Sequence, residues 1–329
     1  MISDIGRNGK KRWAVGVDFG GTTVKVGLVT SAGRVAAVRV LPTAELRRPA
    51  QFIDGVARAV AVLAGSSGTR VSQLAGIGVG APGPVDAARG IVRSMVNVPG
   101  WREVPLARRL ARRLQCRCVV DNDANCFALA EWRFGAGRGA DDLICLTLGT
   151  GVGGGLILDG ALYRGASGAA GEPGHMVLDP RGPRCGCGRR GCLEALVGAA
   201  AIVALGRPAL RRSERLRTFV RDHGGRLTPR LIGRAGRAGD PHAKAVWAQI
   251  GRRLGIGLAN LINLFNPECI VIGGGVANNW SLFAPAMRVT VRREAMAVPA
   301  RAVRIVRARL GDYAGIVGAA VLIQTHQVM

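Results

Sequence analysis

Apolar and polar positions alternate from Trp13 and then run apolar into Asp18, which predicts a strand. A glycine turn, Asp18-Phe-Gly20-Gly21-Thr22-Thr23-Val-Lys25, leads into a second strand, Val24 to Thr30, and a third follows at Val35 to Leu41. Pro49 to Ala64 has helical apolar spacing. Leu74 to Val79 reads as a buried strand ending in Gly80-Ala-Pro-Gly83-Pro, and Asn97-Val-Pro-Gly-Trp101 as a loop. Pro105 to Leu114 is a basic amphipathic helix, Cys118 to Val120 a strand, and Cys126 to Phe134 a helix. Leu143 to Leu148 is a strand that passes through Gly149-Thr150-Gly151-Val-Gly153-Gly154-Gly155 into a hairpin arm at Leu156 to Leu158. Residues 196–237 read as helices with arginine-rich surfaces, and Asp240 to Asn266 as one long helix with Asp240 and Pro241 at its start. A buried strand at Cys269 to Ile272 ends in Gly273-Gly274-Gly275. A helix at Trp280 to Ala295, a strand at Val303 to Ala308 and a final helix from Gly311 to about Thr325 complete the chain. The class is α/β, and the strand–glycine turn–strand units at 13–30 and 143–158 point to a duplicated domain.

A strand–glycine turn–strand unit makes backbone N–H groups and hydroxyls converge, which suits a phosphate; an ordinary hairpin is the alternative. No Gly-Lys-Ser/Thr follows Gly21, so the turn is not a Walker loop. Gly149-x-Gly151-x-x-Gly154 and Gly78-x-Gly80-x-x-Gly83 both satisfy the dinucleotide pattern, but neither is followed by the helix that pattern requires. Two such turns facing each other would grip nucleotide phosphates from both sides, and Gly273 to Gly275 would let a base or sugar approach the backbone. Asp121-Asn122-Asp123-Ala-Asn125 stands between a buried strand and a helix, where ligands bind in α/β proteins. Asp123 is the candidate general base. The alternative is that these residues cap the helix, although three polar residues exceed what one cap needs.

The stretch Gly171 to Glu194 concentrates the remaining chemistry. His175, Cys185, Cys187 and Cys192 are the ligand set of a closed tetrahedral zinc site, and the intervening glycines permit a tight wrap. Buried or disulfide-bonded cysteines are the alternative. Four protein ligands leave no open position, so a zinc there would clamp Glu172, His175 and Glu194 in place. His175 could bind metal through one ring nitrogen and face a ligand with the other.

Composition changes this picture little. The 329 residues suffice for two domains, and 48% hydrophobic with 20% charged residues is a globular balance. No uninterrupted run of about 18 apolar residues marks a membrane span, and the basic start lacks the apolar core of an export signal. Eight cysteines without such a signal suit a reducing, cytoplasmic setting. The net charge of +25 raises nucleic-acid binding. Yet only Lys10, Lys11, Lys25 and Lys244 among the 46 basic residues are lysines, and the arginines are scattered. That pattern reads as a compositional bias, and no nucleic-acid partner is expected.

Together these motifs resemble the ROK family of repressors, open reading frames and kinases, from about Val15 to Ala320. The parts are Asp18-Phe-Gly-Gly-Thr-Thr-Val-Lys25, Asn122-Asp123-Ala-Asn125, Leu148-Gly-Thr-Gly-Val-Gly-Gly-Gly155, Glu172-x-x-His175, Cys185-x-Cys-Gly-x-x-Gly-Cys-x-Glu194 and Ile272-Gly-Gly-Gly275. The resemblance implies an actin-like ATPase (ribonuclease H-like) fold of two α/β domains with a cleft. These would be 1–122 with 312–329, closed by the returning C-terminal helix, and 123–311 with the zinc loop. It implies phosphorylation of a hexose by ATP with Mg2+, most like an ATP-dependent glucokinase. Asp123 would take the proton of the 6-hydroxyl, while Asn122, Glu172, His175 and Glu194, with Gly83 and Asn97, would bind sugar hydroxyls. Asp18, Gly20, Gly21, Thr22, Thr23, Lys25, Gly149, Thr150, Gly151, Gly153, Gly274 and Gly275 would form the ATP site, with Asp18 holding magnesium through water. A homodimer or homotetramer is implied. Many sugar kinases of the family carry Glu where Asp121 stands, which leaves the sugar open. N-acetylmannosamine, N-acetylglucosamine and other hexose kinases share nearly the same motifs. The family's repressors carry a helix-turn-helix of roughly 80 residues before the first glycine turn. Only about 12 residues precede Trp13 here, so the expectation is a kinase, with a repressor or sugar sensor as the distant alternative.

Overall fold

A computed structural model describes residues 13–95, 98 and 100–325. The chain forms two compact units, Met1–Gly139 with Gly155–Gly171 and Arg309–Met329, and Ala140–Gly154 with Glu172–Ala308. The first begins with Trp13–Phe19 (β1), Thr23–Thr30 (β2), Val35–Pro42 (β3) and Pro49–Ser66 (α1). Ile77–Ala81 (β4) precedes three short strands, Val85–Asp86 (β5), Ile91–Ser94 (β6) and Arg102–Val104 (β7). Leu106–Leu114 (α2), Cys118–Asn122 (β8) and Asp123–Phe134 (α3) follow. Leu143–Leu148 (β9), Val152–Leu158 (β10) and Ala161–Tyr163 (β11) come next. The helices Leu193–Val197 (α4), Ala199–Arg212 (α5), Glu214–Arg221 (α6), Pro229–Arg237 (α7) and Pro241–Phe265 (α8) lead to Cys269–Gly273 (β12). Trp280–Glu294 (α9), Ala297–Ala302 (α10), Arg304–Arg307 (β13) and Ala314–Thr325 (α11) complete the described chain.

The strand orders are β3-β2-β1-β4-β8 and β11-β10-β9-β12-β13. In the first, β1 pairs antiparallel with β2 and parallel with β4, which is parallel to β8. In the second, β12 lies parallel to both β9 and β13. The repeated order bears out the duplication expected from the two glycine hairpins. β1 and β4 are apolar almost throughout because both faces are covered. On one face, Phe19 stacks on Phe52 at 4.5 Å between ring centroids, and Trp101 meets both rings edge-on. On the other lies α11, buried nearly all round and correspondingly apolar nearly all round.

The seat of α11 is made of glycines. A Cβ at Gly16 of β1 would collide with the Ile316 carbonyl oxygen, and one at Gly78 of β4 with that of Ala319. On the helix itself, a Cβ at Gly318 would collide with the Cys126 carbonyl oxygen of α3. The approach to α11 is fixed by Glu131, which is fully buried in α3. Its carboxylate accepts from the backbone N–H groups of Arg309 (3.1 Å), Leu310 (2.9 Å) and Ala136 (2.8 Å). Without those donors the buried charge would be expensive.

Several elements differ from the periodicity reading. The stretch between the Gly80–Pro84 turn and the loop at Asn97, given no element by the periodicity, contains β5 and β6, which with β7 form a small antiparallel sheet. Strands of two to four residues are too short to show alternation. Trp101 is a core residue, with its Nε1 donating to the Arg47 carbonyl at 2.7 Å. The strand expected from Leu74 begins at Ile77, after a turn of 3-10 helix at Val71–Gln73. α3 begins at Asp123, three residues earlier than its apolar spacing indicates. β10 includes Gly153 to Gly155, because at Gly155 the strand passes too close to Ala124 and Ala128 for a side chain. Residues 193–212 are apolar and long enough to cross a membrane by length and composition, but Gly198 divides them into α4 and α5, both packed on α8.

Gly78→Ala is expected to cost more than about 3 kcal/mol, because the colliding atom is backbone and cannot rotate away. Gly65→Ala, at an exposed site in α1 with no neighbour within 4 Å, should be neutral or stabilising by about 0.5–1 kcal/mol. Denaturant unfolding of the two variants checks the pair.

Candidate functional site

In the first unit the carboxyl ends of three parallel strands meet in one row. Asp18 of β1 stands opposite Gly80 of β4, and Gly80 opposite Asp121 of β8. Two strand spacings, about 9.5 Å, separate the two acids. Beneath the row lies Cys126, whose thiol is held well above its ordinary range by burial and then by the carboxylates of Asp121, Asp123 and Asp18. Three acids therefore surround one point at the strand ends, where α/β proteins bind ligands. Burial raises the Asp18 carboxyl, with Lys25 opposing the shift. A Cβ at Gly315, in the first turn of α11, would lie 2.5 Å from the Asp18 carboxyl carbon. Lys25 Nζ donates to the Asp312 carbonyl at 3.0 Å, which ties the glycine hairpin to the same helix entry.

Asn122 is the cap of α3. Its Oδ1 accepts from the backbone N–H of Ala124 (2.9 Å) and Asn125 (3.3 Å), and its Nδ2 donates to the Gly83 carbonyl at 3.1 Å. One amide thus fixes both the helix start and the Gly83 turn, where φ is +83° and Ser94 leaves no room for a side chain. Asp123, half-buried on the first turn of α3, accepts from the Ala124 N–H at 2.9 Å. Asp121 is only 2% exposed. Its Oδ2 accepts from Arg164 Nε (2.9 Å) and Nη2 (2.7 Å), and its Oδ1 from the Asn122 N–H (2.7 Å) and Asn125 Nδ2 (2.9 Å). The Gly20 to Thr23 turn is closed by the Gly20 N–H to the Thr23 carbonyl (3.0 Å) and by Thr43, whose hydroxyl donates to the Gly20 carbonyl (2.8 Å). Sequence reading missed Arg164 and Thr43, since neither lies in a periodic element or a recognisable motif. Asn97 lies outside the described residues.

In the second unit Glu194 is the connecting side chain. Its Oε2 accepts from the Val152 N–H at 3.0 Å, immediately after Gly149-Thr150-Gly151. Its Oε1 lies 3.4 Å from Cys185 Sγ. Burial raises the Glu172 carboxyl; His175 opposes that shift and Glu194 adds to it. Gly274 has φ +82° and packs on the backbone of Leu148, so the turns after β9 and β12 meet. Gly21, Gly149 and Gly275 are different. None has a positive φ, and a Cβ on any of them would meet no protein atom within 4 Å. The fold does not require glycine at these positions. Their bare backbones leave the kind of cradle that a phosphate or a nucleotide can fill.

The ligand atoms of His175, Cys185, Cys187 and Cys192 all lie within 4.8 Å of one another. His175 Nδ1 is 3.7 Å from Cys185 Sγ, and Cys187 Sγ is 3.7 Å from Cys192 Sγ. A tetrahedral zinc with bonds of about 2.3 Å to sulfur places its ligands about 3.8 Å apart, so the set fits that ion. Without an ion the three thiols differ: the Arg189 backbone N–H pulls Cys187 down to about 7, while burial pushes Cys185 up to about 12 and raises Cys192. Among the described residues all eight cysteines are free thiols.

The chain matches the ROK family over residues 14–326. It is 36% identical over 318 residues to a glucokinase of Halalkalibacterium halodurans, covering 96% of each chain. A ROK family glucokinase from Streptomyces griseus, solved with glucose and AMPPNP, superposes with a TM-score of 0.82 at 36% identity. That match covers 95% of this chain and 99% of the other. A ROK family transcriptional regulator, a homologue of the E. coli MLC protein, superposes with a TM-score of 0.84 at 28% identity, covering 95% of this chain and 78% of the regulator. The shared fold is the actin-like ATPase fold, and in this chain it carries the repeated five-stranded order.

Elemental analysis is expected to find one zinc per chain. Cys192→Ser should lose it and lower the unfolding temperature by at least about 5 °C. Gly149→Ala and Gly275→Ala should each change stability by less than about 0.5 kcal/mol, whereas Gly274→Ala should cost more than about 2 kcal/mol; calorimetry separates the two classes.

Proposed function

The chain belongs to the ROK family, and we propose that it is a sugar kinase that transfers the terminal phosphoryl group of ATP to the 6-hydroxyl of glucose. One observation carries the reading. Asp123 stands on the first turn of α3, at the open ends of β1, β4 and β8, in a chain that aligns almost end to end with a glucokinase holding glucose and AMPPNP. Phosphoryl transfer needs positioning, charge neutralisation and a base at the attacking oxygen. In this reading Asp123 accepts the proton of the 6-hydroxyl as that oxygen attacks the terminal phosphorus and ADP departs.

The sugar's remaining hydroxyls go to Gly83, Asn97, Asn122, Glu172, His175 and Glu194. Asn122 already spends its amide on the α3 cap and on Gly83, so it serves the sugar chiefly by fixing that turn. Zinc supplies rigidity when bound, holding the His175 ring through Nδ1. The ring's Nε2 remains for a hydroxyl. A metal-bound Cys185 is a thiolate and cannot donate to Glu194 Oε1, so that oxygen is free to accept from the sugar. The bare backbones at Gly21 and Gly149 take the phosphates, and Gly275 takes the adenosine. Asp18 is the residue that would hold magnesium through water, and the ion would neutralise phosphate charge. Free thiols throughout suit the cytoplasm, and a homodimer or homotetramer is the expected assembly.

An ADP-release assay with Mg-ATP against glucose, mannose, N-acetylglucosamine and N-acetylmannosamine tests the reading. Turnover should be highest on glucose. Asp123→Ala should lower kcat by roughly 10²–10⁴-fold with an unchanged unfolding temperature. Preference for an N-acetylhexosamine would move the substrate and keep the mechanism. Saturable sugar binding without turnover would turn the reading toward the regulators that share the fold.

A further inference from the structure

Arg164 belongs to no helix or strand and to none of the motifs that mark the site. It follows β11 and opens a turn that closes when the Ala170 N–H donates to its carbonyl at 3.0 Å. A Cβ at Gly168, inside that turn, would meet the Val85 carbonyl oxygen at 3.6 Å, just beyond the Gly83 turn. The Arg164 side chain reaches back across the sequence to Asp121, and both of its contacts fall on one oxygen, Oδ2.

That division of labour matters. With Oδ2 occupied by the guanidinium, Oδ1 is left to the Asn122 N–H and to Asn125 Nδ2. The carboxylate therefore receives four N–H donors, two on each oxygen, and is fully satisfied although almost wholly buried. The two donors on Oδ1 lie on either side of Asp123: the peptide N–H just before it, and a side chain two residues after it. Together they set the corner at which β8 becomes α3. Asn125 also shows which interaction dominates. Its amide points Nδ2 at Asp121, and its buried Oδ1 consequently has no partner among the described residues. The charge on Asp121 outweighs the cost of that orphaned acceptor.

We propose that Arg164 is a positioning residue for phosphoryl transfer: through Asp121 it holds the β8–α3 corner in the orientation that aims Asp123 at the attacking hydroxyl. The proposal rests on the hexose kinase reading above. Removing the guanidinium leaves a buried carboxylate short of two donors. The carboxylate turns toward water, and its hold on the Asn122 peptide and the Asn125 amide loosens. Asp123 keeps its chemistry and loses its aim. Misplacement of a catalytic group by a fraction of an ångström to 1 Å costs on the order of 10- to 100-fold in rate.

The test compares Arg164→Met, Arg164→Gln and Arg164→Lys with the unaltered protein, at a temperature where each is fully folded. Arg164→Met should lower kcat on the preferred hexose by about 10- to 100-fold, with KM for ATP within about twofold. Arg164→Lys, which restores the charge and one donor, should recover much of the loss. Hydrogen–deuterium exchange of the backbone across residues 118–127 should quicken in Arg164→Met and return toward the unaltered rate in Arg164→Lys. Should Arg164→Met fail to fold, Arg164→Gln, which keeps a single neutral donor, carries the same expectation. Unchanged kcat in the folded Met or Gln variant overturns the proposal, and so does unchanged exchange at the corner. A fall in kcat accompanied by an equal loss of ATP affinity also overturns it, because it would indicate a general structural role. The exchange measurement needs no turnover, so it judges the pin even if the unaltered protein phosphorylates no hexose; that outcome would count against the kinase reading alone.

Discussion

A helix lying directly on peptide backbone is the constraint from which the first unit follows. α11 approaches β1 and β4 so closely that its carbonyl oxygens take the places of two side chains, at Gly16 and Gly78, and it presents Gly318 to α3 in turn. Backbone-to-backbone approach of this kind fixes position far more tightly than contact between flexible side chains, since nothing can rotate to absorb a shift. The same helix entry reaches Asp18 through Gly315 and Lys25 through the Asp312 carbonyl. The site end of β1 and the first glycine hairpin are thereby registered against a segment nearly three hundred residues further along the chain.

Two buried carboxylates, Glu131 and Asp121, and one half-buried one, Glu194, set the rest of the geometry, and each acts on main-chain N–H groups. Glu131 holds the Arg309–Leu310 segment, Asp121 the Asn122 peptide and Glu194 the Val152 peptide. A carboxylate is suited to this work because it accepts from several directions, whereas an apolar contact cannot specify where a peptide plane points. Glu194 shows the economy of the arrangement in the second unit. One oxygen accepts from the Val152 N–H after the β9 turn and the other lies 3.4 Å from Cys185 Sγ, so a single side chain stands between the cysteine cluster and the glycine turn.

Much of this was legible in the sequence, for identifiable reasons. β1, β4, β9 and β12 are apolar runs ending in acid or glycine, and α8 carries an N-cap aspartate followed by proline, so periodicity and punctuation agreed at those places. The cysteine cluster was readable because its ligands are close in sequence. The misses share the opposite property. Arg164 meets Asp121 across 43 positions, and Thr43 meets Gly20 across 23. Trp101 joins Phe19 and Phe52 from a stretch with no periodicity of its own. Such pairings are created by the fold, and local spacing carries no trace of them. The β5–β7 meander was invisible for a simpler reason: none of its strands exceeds four residues.

The place of α11 also dictates an order of assembly. The residues that Glu131 anchors, and the helix that fills the space between the first sheet and α3, are made only after all of 140–308. On the ribosome the first unit is begun first and completed last. Until the final segment emerges, the face of β1 and β4 that α11 covers is an open apolar sheet, while the intervening unit already has every residue it needs. The interval in which the nascent chain is prone to aggregation is therefore set by the synthesis time of about 170 residues, on the order of 10–30 s at common elongation rates.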